Sequence, residues 1–256
     1  MIFQAKKSLG QNFLIDENIC RKIVAALDIG PDDNVLEIGP GKGALTKLLY
    51  KAGAHVYALE KDRELCRDIR EKFLDVDIVC ADALAFDWPR INRLPGLKIV
   101  GNLPYNIASR LLWDMAFQAG RFDRAVFMVQ KEVGQRIVSL PGSKTYGGLS
   151  VWIQSFLQPA ILFRVSPAVF RPRPKVDSVV LKFLPLDNEK KDFSSQNLAR
   201  TIRIMFQHRR KQIGKILRTY WNDEVNCFFE DQGIEPRLRP EDLSPRDFQG
   251  LSNKLF

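Results

Sequence analysis

The sequence predicts an α/β fold that is built around a mostly parallel sheet and is followed by a small all-α domain. Three observations lead to this prediction. Short runs rich in Val, Ile and Leu alternate with longer amphipathic stretches over the first two-thirds of the chain, as in parallel sheets that helices cover on both faces. Two further apolar runs flank a proline-rich loop. Beyond Pro185, the apolar residues follow helical spacing.

Seven apolar runs are predicted as strands. In chain order they are Asn34–Ile38, His55–Leu59, Asp77–Cys80, Leu97–Val100, Ala125–Val129, Ala160–Val165 and Val176–Leu184. An amphipathic helix over Glu17–Leu27, with Asp16 as its N-cap, precedes them. Helical spacing recurs around residues 44–52, 62–73, 107–118 and 131–139. The last two strands form a hairpin-like pair, so we expect an antiparallel strand at the edge of the sheet.

A change in composition at Pro185 predicts a domain boundary. The segment LDNEKKDFSSQN after it is polar and reads as a linker. Helical patterns follow over Leu198–Tyr220 and Asn222–Gln232, and turns at Arg239–Pro240 and Ser244–Pro245 precede short helices. We therefore predict a large domain over residues 1–186 and a small helical domain over residues 187–256.

Composition limits the class of protein. The chain has 256 residues and a net charge of +9, from 39 Lys and Arg against 30 Asp and Glu. No apolar run reaches the roughly 20 residues that span a bilayer, and no secretory signal precedes the first helix. The four cysteines are scattered and only two histidines are present, which argues against a zinc cluster. We expect a soluble, cytoplasmic, monomeric protein without a metal, and a polyanionic partner.

A glycine-rich turn follows the first strand of the sheet, in Val35–Leu45 (VLEIGPGKGAL). Gly39, Gly41 and Gly43 allow a tight turn and a close approach of a ligand to the backbone. The dinucleotide fingerprint GxGxxG would need a further glycine where Ala44 stands. This substitution weakens the case for NAD, and an ordinary turn is the alternative interpretation of the glycines taken alone.

Acidic residues follow the next two strands. Glu60 ends the second strand, where a carboxylate can accept hydrogen bonds from both hydroxyls of a ribose. Asp82 follows the third strand, at a position suited to an adenine amino group. Each carboxylate alone could be an exposed group at a strand end. Together with the glycine turn, in this order and spacing, they indicate S-adenosylmethionine as the cofactor.

The fourth strand leads into Val100–Ile107 (VGNLPYNI). Asn102 provides a side-chain carbonyl at the carboxyl end of a parallel strand, where ligands bind in such sheets. Pro104 favours an extended chain before it, so that backbone carbonyls can face a ligand. Such acceptors suit an aryl amine, and Tyr105 offers a face on which a base could stack. The alternative is a plain turn with a core tyrosine.

Six segments, taken in order, carry a resemblance to a known family. They are KKSLGQNFL (Lys6–Leu14), LEIGPGKGALT, LEKD, ADAL, GNLPYNIAS and VSPAVFRPRPKVDSVV. They resemble the signatures of rRNA adenine N6-dimethyltransferases, most closely the bacterial members that act on 16S rRNA. Related antibiotic-resistance enzymes of large-subunit rRNA usually lack the full N-terminal form. The resemblance implies a Rossmann-like class I methyltransferase domain with a seven-stranded sheet.

The resemblance also implies roles for individual residues. The cofactor would be held by Asn12, Leu14, Gly39, Gly41, Glu60, Lys61, Asp82, Ala83 and Asn102. The target adenine would be held by Asn102, Leu103, Pro104, Tyr105 and Phe170, with Tyr105 and Phe170 on its two faces. Residues 9–14 would close over the site as a lid. The substrate would be two adjacent adenosines in the 3′-terminal loop of 16S rRNA within the immature small subunit.

A basic segment marks a predicted RNA-binding surface. Arg200–Arg218 holds seven Lys and Arg and no acidic residue. We predict one helix here, whose residues Arg209, Arg210 and Lys211 contact phosphates, although a solvated helix face is the usual fate of such runs. Residues Arg171, Arg173 and Lys175 form a second predicted patch beside the pocket.

Two other functions remain open at this point. The chain could serve as a ribosome-assembly or RNA-binding module in which catalysis is secondary, and complementation by a catalytically dead variant would separate this role from the enzymatic one. An NAD-dependent enzyme is the other alternative, and it is disfavoured by Ala44 and by the absence of a plausible hydride-transfer partner. Calorimetric titration with S-adenosylmethionine and with NAD distinguishes a methyltransferase from an NAD-dependent enzyme.

Overall fold

The computed structural model describes residue 6 and residues 9–88, 94–118, 121–186 and 192–256. Residues 7–8 of the N-terminal motif and residues 187–191 of the predicted linker lie outside these ranges. The chain forms two compact units. The first comprises residues 1–134 and 159–185, and the second comprises residues 135–158 and 186–256.

The first unit contains a seven-stranded sheet, as the sequence predicts. Its strands in chain order are β2 (Asn34–Ile38), β3 (His55–Glu60), β4 (Asp77–Cys80), β5 (Lys98–Asn102), β6 (Arg124–Gln130), β7 (Leu157–Val165) and β9 (Ser178–Pro185). Their order across the sheet is β4-β3-β2-β5-β6-β9-β7. The first five run parallel, and β9 is antiparallel to β6. The antiparallel strand therefore lies inside the sheet, and β7 takes the edge.

The helices of this unit begin close to the predicted positions. They are α1 (Glu17–Leu27), α2 (Thr46–Lys51), α3 (Arg63–Lys72), α4 (Ala108–Ala116) and α5 (Lys131–Ile137), the last of which continues into the second unit. The predicted cap of α1 is confirmed, since the Asp16 carboxylate accepts hydrogen bonds from the backbone of Asn18 at 2.9 Å and Ile19 at 3.0 Å. Asp62 caps α3 in the same way.

A second, two-stranded sheet was not predicted. The strand β1 (Phe13–Leu14) pairs in antiparallel fashion with β8 (Phe170–Arg171), so that Leu14 lies opposite Phe170. The pairing continues through a hydrogen bond from the Ile15 N–H to the Val169 carbonyl at 2.9 Å. The N-terminal motif and the proline-rich loop are thereby joined within the first unit.

The second unit is helical. It contains α6 (Gly148–Gln154), α7 (Ser195–Gln207), α8 (Ile213–Ile216), α9 (Asp223–Asp231) and α10 (Pro245–Leu255). Residues 135–158, which the predicted division placed with the sheet, pack here instead: the rings of Phe156 and Phe193 lie 5.6 Å apart. Composition along the chain carries no signal for such a long-range contact. Within the described residues, no helix is long and apolar enough to cross a membrane.

The single helix predicted over Leu198–Tyr220 is wrong. Helix α7 ends at Gln207, His208 leaves the helical conformation, and α8 begins only at Ile213. No side chain is buried between Met205 and Ile213. Since most helical stability in proteins comes from packing an apolar face, this polar stretch forms a turn.

Candidate active site

A cavity opens at the carboxyl ends of the central parallel strands. Its empty space, including the part open to solvent, is about 1180 Å³. All the residues predicted to hold a cofactor lie in its wall. They are Asn12, Leu14, Gly39, Gly41, Glu60, Lys61, Asp82, Ala83 and Asn102. Leu103, Pro104 and Tyr105 line it as well. Except for Asn12 and Leu14, which precede the sheet, these residues meet because the carboxyl ends of parallel strands lie at one edge of the sheet.

The glycine turn forms the floor of this cavity. The Gly39 N–H donates to the Leu59 carbonyl at 2.9 Å, which fixes the turn to the end of β3. Gly41 has φ +57, and a Cβ atom there would lie 3.1 Å from the ring of Phe13. Glycine is required at this position because the left-handed conformation is strained for other residues and because the ring of Phe13 lies very close.

Glu60 lies at the end of β3 with its side chain almost completely buried. Its Oε2 accepts a hydrogen bond from the Gly41 N–H at 3.2 Å, and its Oε1 accepts one from the Asp62 N–H at 2.9 Å. Burial raises the pKa of this carboxyl above its ordinary value. A hydrogen bond from the Lys61 backbone also reaches this carboxylate. A carboxylate has about four acceptor positions, so the group can still accept a hydrogen bond from a ligand.

Asp82 lies beside Lys61 at the neighbouring strand end. The Lys61 ammonium is 2.8 Å from its Oδ2, and the Leu84 N–H donates to Oδ1 at 3.0 Å. The hydrogen bond from Lys61 is the main reason why the pKa of Asp82 is lowered. Asp82 is therefore an ionised acceptor at neutral pH.

Asn102 ends β5 in a fixed orientation. Its Nδ2 donates a hydrogen bond to the Asn12 carbonyl at 2.9 Å. The amide nitrogen thereby donates to the backbone of Asn12, and the side-chain carbonyl oxygen remains as an acceptor. The Leu103 N–H donates to the Met128 carbonyl at 3.1 Å, so the backbone that follows Asn102 is held as well.

The two aromatic residues predicted to hold a base lie in different environments. Tyr105 is half-buried in the cavity wall, and its hydroxyl lies 2.7 Å from the Ser178 hydroxyl. Phe170 is fully buried in the hydrophobic core and is not among the described residues that line the cavity. Contact between Phe170 and a base would require the ring to become accessible, and its role stays a prediction.

The predicted RNA-binding residues are distributed over both units. Arg171 is exposed at the end of β8, and Arg173 and Lys175 are exposed in the loop between β8 and β9. In the second unit, Arg209 is paired with the Glu241 carboxylate and donates to the Lys144 carbonyl at 2.7 Å. The expectation that no acidic residue balances this segment is therefore wrong for Arg209, because the balancing acid comes from a distant part of the sequence.

Arg210 and Lys211 are exposed in the turn between α7 and α8. Among the described residues, neither takes part in an ion pair. Both side chains are therefore available for phosphate contacts.

Glu37 was not predicted as part of the site. It lies on β2, lines the cavity, and is only 1% exposed. The Thr46 hydroxyl donates to its Oε2 at 2.6 Å. Burial raises the pKa of the Glu37 carboxyl to about 7. An acidic residue within the apolar run VLEI is the signal that could have identified it.

We expect the substitution Glu37→Gln to alter the pH dependence of stability. The ordinary pKa of this carboxyl is 4.5, and it is about 7 in the folded chain. The folded state therefore binds the proton of Glu37 more tightly than the unfolded state does. The stabilisation of the folded state by this proton is complete below pH 4.5 and is lost as the pH rises through 7. The loss amounts to about 3 kcal/mol. The free energy of unfolding of both proteins, from urea denaturation between pH 4.5 and 8, tests this. If it changed equally with pH in the two proteins, the prediction would be contradicted.

The fold and the site together define a Rossmann-like methyltransferase. A family model described as ribosomal RNA adenine dimethylase matches residues 2–255. The chain belongs to this family, which confirms the resemblance seen in the motifs.

Two relatives and two solved structures illustrate the similarity. The ribosomal RNA small subunit methyltransferase A of Oleidesulfovibrio alaskensis is 52% identical, over 98% of this chain and 91% of that protein. Its namesake from Moorella thermoacetica is 40% identical, over 98% and 92%. A dimethyladenosine transferase from Plasmodium falciparum shares the fold, with a TM-score of 0.80 and 24% identity over 93% of this chain and 95% of that one. The 23S rRNA methyltransferase ErmE gives a TM-score of 0.70 with 25% identity, over 95% and 99%.

Proposed function

We propose that this chain transfers methyl groups from S-adenosylmethionine to N6 of two adjacent adenosines in the 3′-terminal loop of 16S rRNA, during maturation of the small subunit in the cytoplasm. The observation that carries the proposal is the orientation of Asn102. Its amide nitrogen is bonded to the Asn12 carbonyl, so its oxygen is the atom left to receive the hydrogens of an amine. The names of the two relatives described above support the choice of small-subunit rRNA.

The residues of the cavity fit the cofactor. Glu60 is a buried carboxylate in the cavity wall that can still accept a hydrogen bond from a ribose hydroxyl. Asp82 is an ionised acceptor one strand further along, suited to the amino group of an adenine ring. The glycine turn lets the ligand approach the backbone closely at Gly39 and Gly41.

The protein would act mainly by positioning the amine. S-adenosylmethionine supplies an electrophilic methyl group on a sulfonium. The Asn102 oxygen and the Leu103 carbonyl would accept the N6 hydrogens, which favours the pyramidal form of the nitrogen with an available lone pair. Tyr105, anchored through its hydroxyl to Ser178, would stack against the base. A base must leave its helical stack to reach this pocket, at a cost of a few kcal/mol.

The small helical domain and the loop beside the cavity would bind the RNA. The exposed cations to which we assign this role are Arg171, Arg173 and Lys175 in one patch, and Arg210 and Lys211 in the other. Arg209 belongs to the predicted set, but its contacts with Glu241 and Lys144 give it a structural role within its unit as well. We propose that the protein acts on RNA as a monomer.

We expect the double substitution Arg210→Glu and Lys211→Glu to weaken RNA binding. Each lost phosphate contact should reduce the slope of log affinity against log salt by about 1. Fluorescence anisotropy at several salt concentrations measures this slope. Lys51→Glu is the matched control, because Lys51 is exposed at the last residue of α2, the end of that helix away from Leu45 in the cavity wall. An unchanged slope in the double variant would refute the assignment.

The proposed reaction can be tested directly. The protein would be incubated with unmethylated 30S particles and S-adenosylmethionine, and the 16S rRNA would be digested and examined by mass spectrometry. We expect a gain of two methyl groups on each of two neighbouring adenosines. Methylation of 16S rRNA only at other nucleotides, or no methylation at all, would reject the proposal.

A further inference from the structure

Asp62 binds two residues of the N-terminal segment, which we define as Lys6 and residues 9–14. The Lys6 ammonium lies 2.8 Å from Oδ1 of Asp62, and the Gln11 amide donates to Oδ2 at 3.0 Å. The Asp62 side chain is 1% exposed. An ionised carboxylate at such depth is stable only when it is well paired. The two contacts therefore favour the arrangement in which the N-terminal segment is in place.

The next residue of the segment is attached on the other side of the cavity. Gln11 is held by Asp62, just beyond β3, whereas the carbonyl of Asn12 is held by Asn102, at the end of β5. These two strands flank β2 in the sheet. The backbone at Gln11 and Asn12 therefore crosses above the glycine turn that follows β2. Residues 9–14 all line the cavity.

Beyond Asp62, the segment is anchored through Phe13 and Leu14, which are buried and pair with β8. Its strand β1 contains only these two residues, and ordering a chain segment costs backbone entropy at every residue. The bonds to Asp62 offset part of this cost. Without them, the Asn12 carbonyl would be held against Asn102 less of the time, and the Asn102 amide would lose the contact that fixes its orientation.

We infer that Asp62 is a positioning residue for methyl transfer. It latches the N-terminal segment over the bound cofactor and, through Asn12, keeps the carbonyl oxygen of Asn102 directed at the target amine. Among the described residues that line the cavity, Asp62 is not included, so it acts through the segment. This inference rests on the proposed function, since it takes the cofactor and the amine from there.

Asp62 also caps α3, because its Oδ1 accepts a hydrogen bond from the Glu64 N–H at 3.1 Å. The substitution Asp62→Asn separates the two roles. Asparagine is as good an N-cap as aspartate, but it carries no charge for Lys6. Lys6→Met removes the same ion pair from the other side. Because Lys6 lies outside every helix and strand, this second variant is expected to fold.

The experiment measures how fast S-adenosylmethionine dissociates from the full-length protein, by stopped-flow displacement with S-adenosylhomocysteine. We expect dissociation to become about 10-fold faster in Asp62→Asn and severalfold faster in Lys6→Met. The double variant should be no faster than Asp62→Asn, since both changes remove one interaction. The kcat of methyl transfer should fall, whereas the KM for 30S particles should stay within twofold.

The matched control is Glu64→Gln. Glu64 also contacts Lys6, at 3.3 Å, but its side chain is 65% exposed, and exposed pairs contribute little. Its dissociation rate should stay within twofold of the unmodified protein. If the dissociation rates of Asp62→Asn and Lys6→Met also stay within twofold, the positioning role of Asp62 is refuted while the proposed function stands. If the unmodified protein binds no S-adenosylmethionine in this assay, the proposed function itself has failed.

Discussion

Replacing Asn102 with alanine should reduce methyl transfer by about 10²–10³-fold or more, the range found when one polar group that stabilises a transition state is removed. The affinity for S-adenosylmethionine should fall only a few-fold. Asn102 is one of many groups that line the cavity, whereas its carbonyl oxygen is the side-chain acceptor proposed for the amine. The loss should therefore appear in kcat and much less in cofactor binding.

Single-turnover transfer of labelled methyl groups to 30S particles, together with calorimetric titration of the cofactor, measures both quantities. Asn102→Asp adds information, because it keeps an acceptor but cannot donate to the Asn12 carbonyl. We expect this variant to be impaired as well. Asn18→Ala, on the exposed face of α1, is the control and should leave the rate unchanged. Near-normal turnover in Asn102→Ala would show that the amine is held in another way.

Replacing Gly101 with alanine should destabilise the first unit by about 1–3 kcal/mol or more. Gly101 lies on β5, opposite Ile38 of β2. A Cβ atom at this position would lie 2.5 Å from the Ile38 carbonyl oxygen. Because the obstacle is backbone in the centre of the sheet, no side chain can move to relieve the contact. The strands themselves would have to shift, and backbone shifts in a packed interior cost roughly 1–3 kcal/mol or more.

The free energy of unfolding, from urea denaturation monitored by tryptophan fluorescence, tests this prediction. Gly30→Ala is a suitable control in the same unit, because the nearest atom to its Cβ would be a carboxylate oxygen of Asp33 at 3.9 Å. The control should change stability by less than about 1 kcal/mol. Equal stability of Gly101→Ala and the unmodified protein would mean that β2 and β5 can separate without cost.

The strands of the sheet could be predicted because each contains a run of apolar residues, and those of β2, β5, β6 and β9 are mostly buried. Asn34–Ile38 and Asp77–Cys80 have the predicted limits. The carboxyl ends of these strands then determine where the acidic residues and the glycine turn meet, so most of the cavity wall followed from the order of motifs. This part of the site depends on local sequence and on one rule about parallel sheets.

The remaining features depend on contacts between distant residues. Asp62 meets Lys6 and Gln11 across 56 and 51 positions of sequence. The pairing of Leu14 with Phe170 joins segments that are each too short to show a strand pattern. The basic turn after Gln207 was mistaken for helix because apolar residues on either side keep helical spacing, although none is buried between them.

The two-residue pairing of β1 with β8 has a consequence for synthesis of the chain. Phe13 and Leu14 leave the ribosome early, but their partners Phe170 and Arg171 emerge only after most of the chain has been made. At about 5–20 residues per second, the delay is on the order of ten seconds. During that time the nascent chain has its glycine turn and its acidic residues, but Phe13 and Leu14 lack the strand with which they pair. A partly synthesised chain would therefore be a poor catalyst while it is still attached to the ribosome.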